Sequence, residues 1–224
     1  MKGQQLALAV QLRETASFAS YWPGHNADTV AALRELRHPT LLYGPPRSGR
    51  THLLQAVCRE RSGAYLPLRE IAAYGPDALD GFDAPSLLAL DDLDAVIDAR
   101  DWALALLRLI DRRRAAGQLF LLSANAPPEH LAHELADLRT RLAACVVLGL
   151  APLDDEARSA LLRDRAKARG LTLPDDVTRW LLKTQSRTPG ALLDALAALD
   201  AASLRDKRRL TLPFAQSVLK IPAG

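Results

Sequence analysis

Five short apolar runs punctuate the chain at Thr40-Leu41-Leu42-Tyr43, Ala64-Tyr65-Leu66, Leu87-Leu88-Ala89-Leu90, Leu119-Phe120-Leu121-Leu122 and Cys145-Val146-Val147-Leu148. None alternates apolar with polar residues. A continuous run of this length is what a strand buried on both faces shows, so the pattern predicts a parallel sheet covered on both sides. Between the runs, Thr51 to Arg61 and Trp102 to Ala116 carry apolar residues at three-to-four spacing with charges opposite, as crossover helices on such a sheet should. Residues 15–150 are therefore expected to form an α/β domain of three layers around a five-stranded parallel sheet.

After Leu150-Ala151-Pro152 the periodicity changes. Helical patterns run through Asp154 to Arg169, Asp175 to Lys183, Pro189 to Arg205 and Pro213 to Lys220, with no strand signal between them. Gly170 suits the end of the first, and Pro174 with Asp175-Asp176 suits the start of the second, where acidic residues meet the positive end of the helix dipole. Residues 151–224 are expected to form a small all-helical domain, and residues 1–14 an N-terminal tail.

Composition narrows the class. The 224 residues, 49% of them hydrophobic, suffice for one good core and a small second domain. The 29 Lys plus Arg nearly balance the 26 Asp plus Glu, which argues against a surface coated in nucleic acid, so DNA contact would need a local patch or a partner. Cys58 and Cys145 lie in apolar stretches without metal-ligand spacing, as buried thiols in a reducing compartment do. The N-terminus lacks a signal-peptide stretch, and no run approaches the roughly 20 apolar residues of a membrane span. A cytoplasmic protein with no membrane contact is expected.

The chemistry concentrates around Gly44-Pro45-Pro46-Arg47-Ser48-Gly49-Arg50-Thr51, a G-x-x-x-x-G-[K/R]-[S/T] segment between an expected strand and an expected helix, the context a phosphate-binding loop requires. Pro45 and Pro46 cannot donate, so the anion nest falls to the amides of Arg47 to Thr51, backed by the helix N-terminus. Arg50 stands where lysine is usual and brings a permanent, forked charge. Thr51 offers a hydroxyl to Mg²⁺, and His52 follows on the first helical turn. The strand ending Leu90-Asp91-Asp92 reads as a Walker B segment, with Asp91 on Mg²⁺ or its water and Asp92 in the position that orients the attacking water. Aspartate is one methylene shorter than the glutamate often used there. A general base must reach to about 2.6–3.2 Å of its water, so intrinsic hydrolysis is expected to be weak. Asn125 ends the strand expected beside Walker B, where it suits a γ-phosphate and equally suits a turn before Pro127-Pro128. Arg141, in Leu138-Arg139-Thr140-Arg141-Leu142, reads either as an arginine finger or as a surface arginine.

Together, Gly44 to Thr51, Asp91-Asp92, Asn125, Arg141 and Arg187 in Gln185-Ser186-Arg187-Thr188-Pro189-Gly190 resemble an AAA+ module with Walker A, Walker B, sensor 1, arginine finger and sensor 2 in family order. Phe18-Ala19-Ser20-Tyr21-Trp22-Pro23-Gly24-His25-Asn26, Ala126-Pro127-Pro128-Glu129-His130-Leu131 and Leu212-Pro213-Phe214 narrow the resemblance to the DnaA/Hda clade, specifically the Hda family of DnaA-related inactivators. The resemblance implies an AAA+ αβα base with a helical lid and bound ADP or ATP with Mg²⁺. It also implies that Trp22, Pro23 and Asn26 lie near the adenine; packing of Trp22 onto the core is the other reading. Gln5-Leu6-Ala7-Leu8-Ala9 resembles the family's sliding-clamp motif, in which Leu6 and Leu8 would enter an apolar pocket and Gln5 would supply a hydrogen bond.

The function this implies is regulation of replication initiation. The chain would dock on the DNA-loaded clamp, the beta subunit of DNA polymerase III, meet DNA only through it, and present Arg141 to ATP held by DnaA, leaving inactive ADP-DnaA. No helix-turn-helix pattern follows the last expected helix, so DNA reading by this chain is not expected. Two other readings stand: an autonomous ATPase of helicase-loader or clamp-loader type, and a passive adaptor stabilised by its nucleotide. Whether the chain works as a homodimer is left open.

Overall fold

The computed structural model describes residues 12, 16–131, 135–186 and 188–220. Two compact units part between Pro152 and Leu153. The first opens with a 3-10 turn at Gly24–Asn26 and helix α1 (Ala27–Arg34), then alternates β1 (Thr40–Tyr43), α2 (Arg50–Arg61), β2 (Ala64–Pro67) and the short α3 (Leu68–Ile71). It continues through β3 (Leu87–Asp91), α4 (Arg100–Ala115), β4 (Leu119–Ala124), α5 (Ala136–Ala143) and β5 (Val146–Gly149). The five strands form one sheet in the order β2-β3-β4-β1-β5, and every pairing is parallel.

Alternate residues of the strands feed two cores. Leu41, Leu88, Leu90, Phe120 and Leu122 face α4, whose Trp102, Ala103, Leu106, Leu109 and Ile110 recur at helical spacing. Leu42, Leu87, Ala89 and Leu121 face the other way, onto Leu53, Leu54, Ala56 and Val57 of α2 and Val30 and Leu33 of α1. The apolar runs are continuous because both sheet faces are covered. The last run departs from this rule: β5 is an edge strand, and Val146 and Val147 remain 43% and 39% exposed. Cys58 and Cys145 are buried free thiols, and burial pushes the Cys58 thiol up to about 12.

The second unit contains α6 (Asp155–Ala168), α7 (Asp175–Thr184), α8 (Pro189–Asp206) and α9 (Leu212–Leu219). Side-chain oxygens cap three of them: Asp154 accepts from the Ala157 amide at 2.7 Å, Thr188 from Ala191 at 3.2 Å, and Thr211 from Phe214 at 3.4 Å. Gly170 follows α6 at φ 69°, a left-handed conformation that glycine adopts without a Cβ clash. Leu162, Val177, Leu181, Leu192, Leu196, Leu199 and Phe214 form this unit's core. No helix among the described residues is long and apolar enough to cross a membrane.

One charged side chain is part of the first core. Arg113 on α4 is only 1% exposed, and its guanidinium donates to the carbonyls of Phe82 and Pro85, each at 2.9 Å, and of Leu119 at 2.6 Å. It thereby joins the segment leading into β3 to the start of β4, holding together the two strands that carry the acidic and amide ends of the candidate site. Truncation would leave three carbonyls without this donor. Arg113→Ala should cost on the order of 3 kcal/mol. Thermal unfolding should then show a midpoint lowered by ~10 °C; a shift within error would refute this account of the core.

Candidate nucleotide site

The sheet order decides which chain ends meet. Strand β4 lies between β1 and β3, with Tyr43 level with Ala124 and Leu90 level with Leu122. The loop after β1, the residue after β4 and the carboxylates ending β3 therefore emerge side by side at the C-terminal edge of the sheet, where open α/β folds bind ligands.

The loop is shaped by close approach. A Cβ on Gly44 would stand 2.8 Å from the Leu150 carbonyl oxygen and 2.9 Å from Ser48 Oγ. Gly49 has φ 99°, and a Cβ there would meet the Tyr21 ring at 2.7 Å. Arg47 is also left-handed, at φ 68°. The Ser48 amide turns back onto the Pro45 carbonyl at 3.2 Å, so it is not presented to an anion in this conformation. Gly49 caps α2, with its carbonyl accepting from Leu53 at 3.0 Å. By helix geometry the amides of Arg50, Thr51 and His52 have no acceptor within the helix, which makes them the donors an anion would use.

Arg50 does not extend freely from the loop. Its side chain is 9% exposed and reaches across to the ends of β3 and β4. One terminal nitrogen donates to the Asn125 side-chain oxygen at 2.6 Å and lies 3.6 Å from Asp92, while the other lies 3.9 Å from Asp94. Asp92 is held again by Arg69 at 3.0 Å, and Asp94 accepts from the Asn125 amide at 2.8 Å. Asp92, at φ 58°, is one of the few non-glycine residues in the left-handed region, and the Ser123 hydroxyl fixes its amide at 2.9 Å. The residue expected to orient water is thus an ion-paired, conformationally fixed carboxylate.

Asp91 is buried at 2% exposure. Tyr65 donates to one of its oxygens at 2.7 Å, and Ser123 donates to the other. Burial, followed by the Asp91 charge, raises the Tyr65 phenol well above its ordinary value, so Tyr65 stays a donor. The assignment of Asp91 and Thr51 to Mg²⁺ meets a carboxylate already engaged on both oxygens and a second, Asp92, engaged by two guanidinium groups. Among the described residues no cluster of three or more His, Cys, Asp or Glu side chains is arranged to hold a metal. A divalent cation would therefore meet carboxylates that already have donors on them. Two donors at the loop, Ser48 Oγ and an Arg50 terminal nitrogen, are buried without a hydrogen-bond partner, as is Trp22 Nε1 in the segment expected near the adenine.

The segment before β1 lies over the loop. The Tyr21 hydroxyl donates to the Ser48 carbonyl at 3.3 Å, and the ring packs on Gly49 and beside His52. Burial raises the Tyr21 phenol. His52 turns toward this segment, with Nε2 2.8 Å from the Ser17 carbonyl oxygen, rather than toward the loop. Pro23 is half-buried at the start of the turn containing Asn26. Asn26 is committed to the backbone: its amide nitrogen donates to the Ala151 carbonyl at 2.9 Å, and its oxygen accepts from the Ala151 amide at 2.8 Å.

Arg141 is on α5, 39% exposed, and is paired with Asp111 of α4 at 2.6 Å. That partner raises the guanidinium above its ordinary value, so the charge is permanent. Arg187, Gln5, Leu6 and Leu8 lie outside the described residues. Sequence reasoning missed Tyr65, Arg69, Asp94, Ser123 and Tyr21. Asp94 and Ser123 had a signal, being two residues from Asp92 and Asn125; Tyr65 and Arg69 could be found only once β2 was known to adjoin β3.

Residues 155–219 match the family model described as Hda, lid domain. The fold matches domain III of the replication initiation protein DnaA from Thermotoga maritima at a TM-score of 0.71 and 20% identity, over 94% of this chain and 98% of that one. AMPPCP-bound DnaA from Aquifex aeolicus matches at 0.66 and 17% identity, over 87% and 68%. The RuvB Holliday junction branch migration motor of Thermotoga maritima matches at 0.61 and 17%, over 94% and 73%. Residues 155–219 thus carry a lid segment of the Hda type, after a five-stranded parallel sheet domain, and the chain shares the fold of DnaA domain III.

Proposed function

We propose that this chain is a regulator of replication initiation that binds ADP or ATP, docks on the DNA-loaded sliding clamp and stimulates hydrolysis of ATP held by DnaA. The observation that carries the reading is the lid: residues 155–219 match the Hda lid family. Adenine nucleotide binding is supported by the phosphate loop, by the unpartnered donors of Ser48, Arg50 and Trp22, and by the likeness in fold to an AMPPCP-bound DnaA. Support for clamp docking is the sequence Gln5-Leu6-Ala7-Leu8-Ala9 alone.

In this reading the chain's own nucleotide sets its conformation and the reaction occurs on the partner. Asp92 is held between Arg50 and Arg69, which ties the water-orienting carboxylate away from general-base work. Arg141 is exposed and keeps its charge, and Asp111 parks it at the surface of the helix pair. On docking, the guanidinium exchanges the Asp111 carboxylate for the phosphate oxygens of ATP on DnaA, where charge spreads in the phosphoryl-transfer transition state. A finger supplied in trans can contribute about 10³–10⁵ in rate. Arg187 as sensor 2 belongs to the same reading.

Two measurements check it. On clamp-loaded DNA with DnaA carrying labelled ATP, Arg141→Ala should bind nucleotide and clamp yet lose most of the stimulation, about 10³-fold or more. Leu6→Ala with Leu8→Ala should lose clamp retention first. Full DnaA inactivation by the Arg141 variant would show that the finger is elsewhere. In the absence of DnaA, the purified chain should turn over ATP slowly; tens of turnovers per second, well inside the ordinary enzyme range of roughly 1–10³ per second, would favour the autonomous ATPase.

A further inference from the structure

We propose that this chain binds its nucleoside phosphate without a divalent cation, the Arg50 guanidinium taking the cation's place between the phosphates and the carboxylates of Asp92 and Asp94. The inference rests on the nucleotide-binding reading and specifies the chemical form of the ligand.

In a phosphate-loop site a cation bridges phosphate oxygens to an acidic strand end. Arg50 already reaches the acidic strand end. From the first residue of α2 its guanidinium lies 3.6 Å from Asp92 and 3.9 Å from Asp94, and it bonds Asn125 at 2.6 Å. With Arg69 on the far side of Asp92 at 3.0 Å, the carboxylates of Asp92 and Asp94 face two guanidinium groups, so those two acids are neutralised before any metal arrives. A divalent ion would have to displace a buried, fixed positive charge or sit beside it. Magnesium also needs near-octahedral oxygen ligands, and Asp91, the remaining acid, has both oxygens engaged by Tyr65 and Ser123.

The guanidinium also has a donor to spare. One Arg50 terminal nitrogen is buried without a hydrogen-bond partner, lying beyond hydrogen-bond reach of Asp94, while the other is occupied by Asn125. A planar fork can bond phosphate on one side while the acids neutralise it on the other, which a lysine ammonium of a single point charge does less well. The neighbouring Ser48 hydroxyl is a second unpartnered donor at the same loop. The substitution of arginine for lysine and the closure of the acidic site thus have one explanation.

The test is a titration of the full chain with a fluorescent ADP analogue, followed by anisotropy in magnesium and in EDTA. The expected dissociation constants agree within about threefold, whereas loss of about tenfold or more in EDTA overturns the proposal while leaving nucleotide binding intact. Absence of binding in both buffers removes the nucleotide reading and this inference with it. Arg50→Lys, checked for an unchanged thermal midpoint, should make binding about tenfold stronger in magnesium than in EDTA. A folded lysine variant as indifferent to EDTA as the parent would show that Arg50 is not the substitute; if that variant does not fold, the parent's two titrations decide alone.

Discussion

A guanidinium buried among carboxylates must be held in place by its surroundings, because either charge alone in that position would be strongly destabilised. Arg50 is in that situation, and much of the base domain can be understood as what holds it there. The strand order puts β4 between the loop and the acidic strand, so Asn125 lies where it can share the cation with Asp92 and Asp94. Ser123, two residues earlier on the same strand, fixes both Asp91 and the backbone of Asp92. The arrangement depends on β3 and β4 keeping their register, which Arg113 reinforces from the opposite end of both strands.

The segment ahead of β1 acts on the other side of the loop. Tyr21 covers Gly49 and bonds the Ser48 carbonyl, His52 bonds back to Ser17, and Asn26 clasps Ala151 through both halves of its amide. By family resemblance Trp22, Pro23 and Asn26 of this segment are expected near an adenine. The segment's observed hydrogen bonds give it a second duty, shaping the loop, and for Asn26 this duty uses the donor and the acceptor that a base would need.

Among the described residues, periodicity located the five strands and the long helices because both faces of the sheet are buried and the second unit's helices each bury one side; such burial leaves its trace in consecutive residues. Gly170 and the Pro174-Asp175-Asp176 start were local signals of the same kind, while the side-chain caps Asp154, Thr188 and Thr211 emerge from the structure. What could not be read were pairings between strands. Val146 and Val147 look like core residues in isolation, and only the strand order shows them at an edge. Arg50 and Asp92 each stand out in the sequence as candidate site residues, but their mutual neutralisation, with Arg69 and Asp94, joins segments that sequence alone does not bring together.

The same strand order bears on how the domain comes to exist. β1, which leads into the phosphate loop, finds its two neighbours only in residues 121–124 and 146–149, and the Asn26 clasp closes on residue 151. During synthesis from the N-terminus, the loop is therefore made early and shaped late. Local helices can form as the chain emerges, but β1 has no partner until most of the base has been made, and contacts this distant in sequence slow folding by the entropy of closing the intervening chain. The nascent chain would carry an unpaired, strongly apolar strand for most of its elongation, a period in which its exposed edges are open to misassociation.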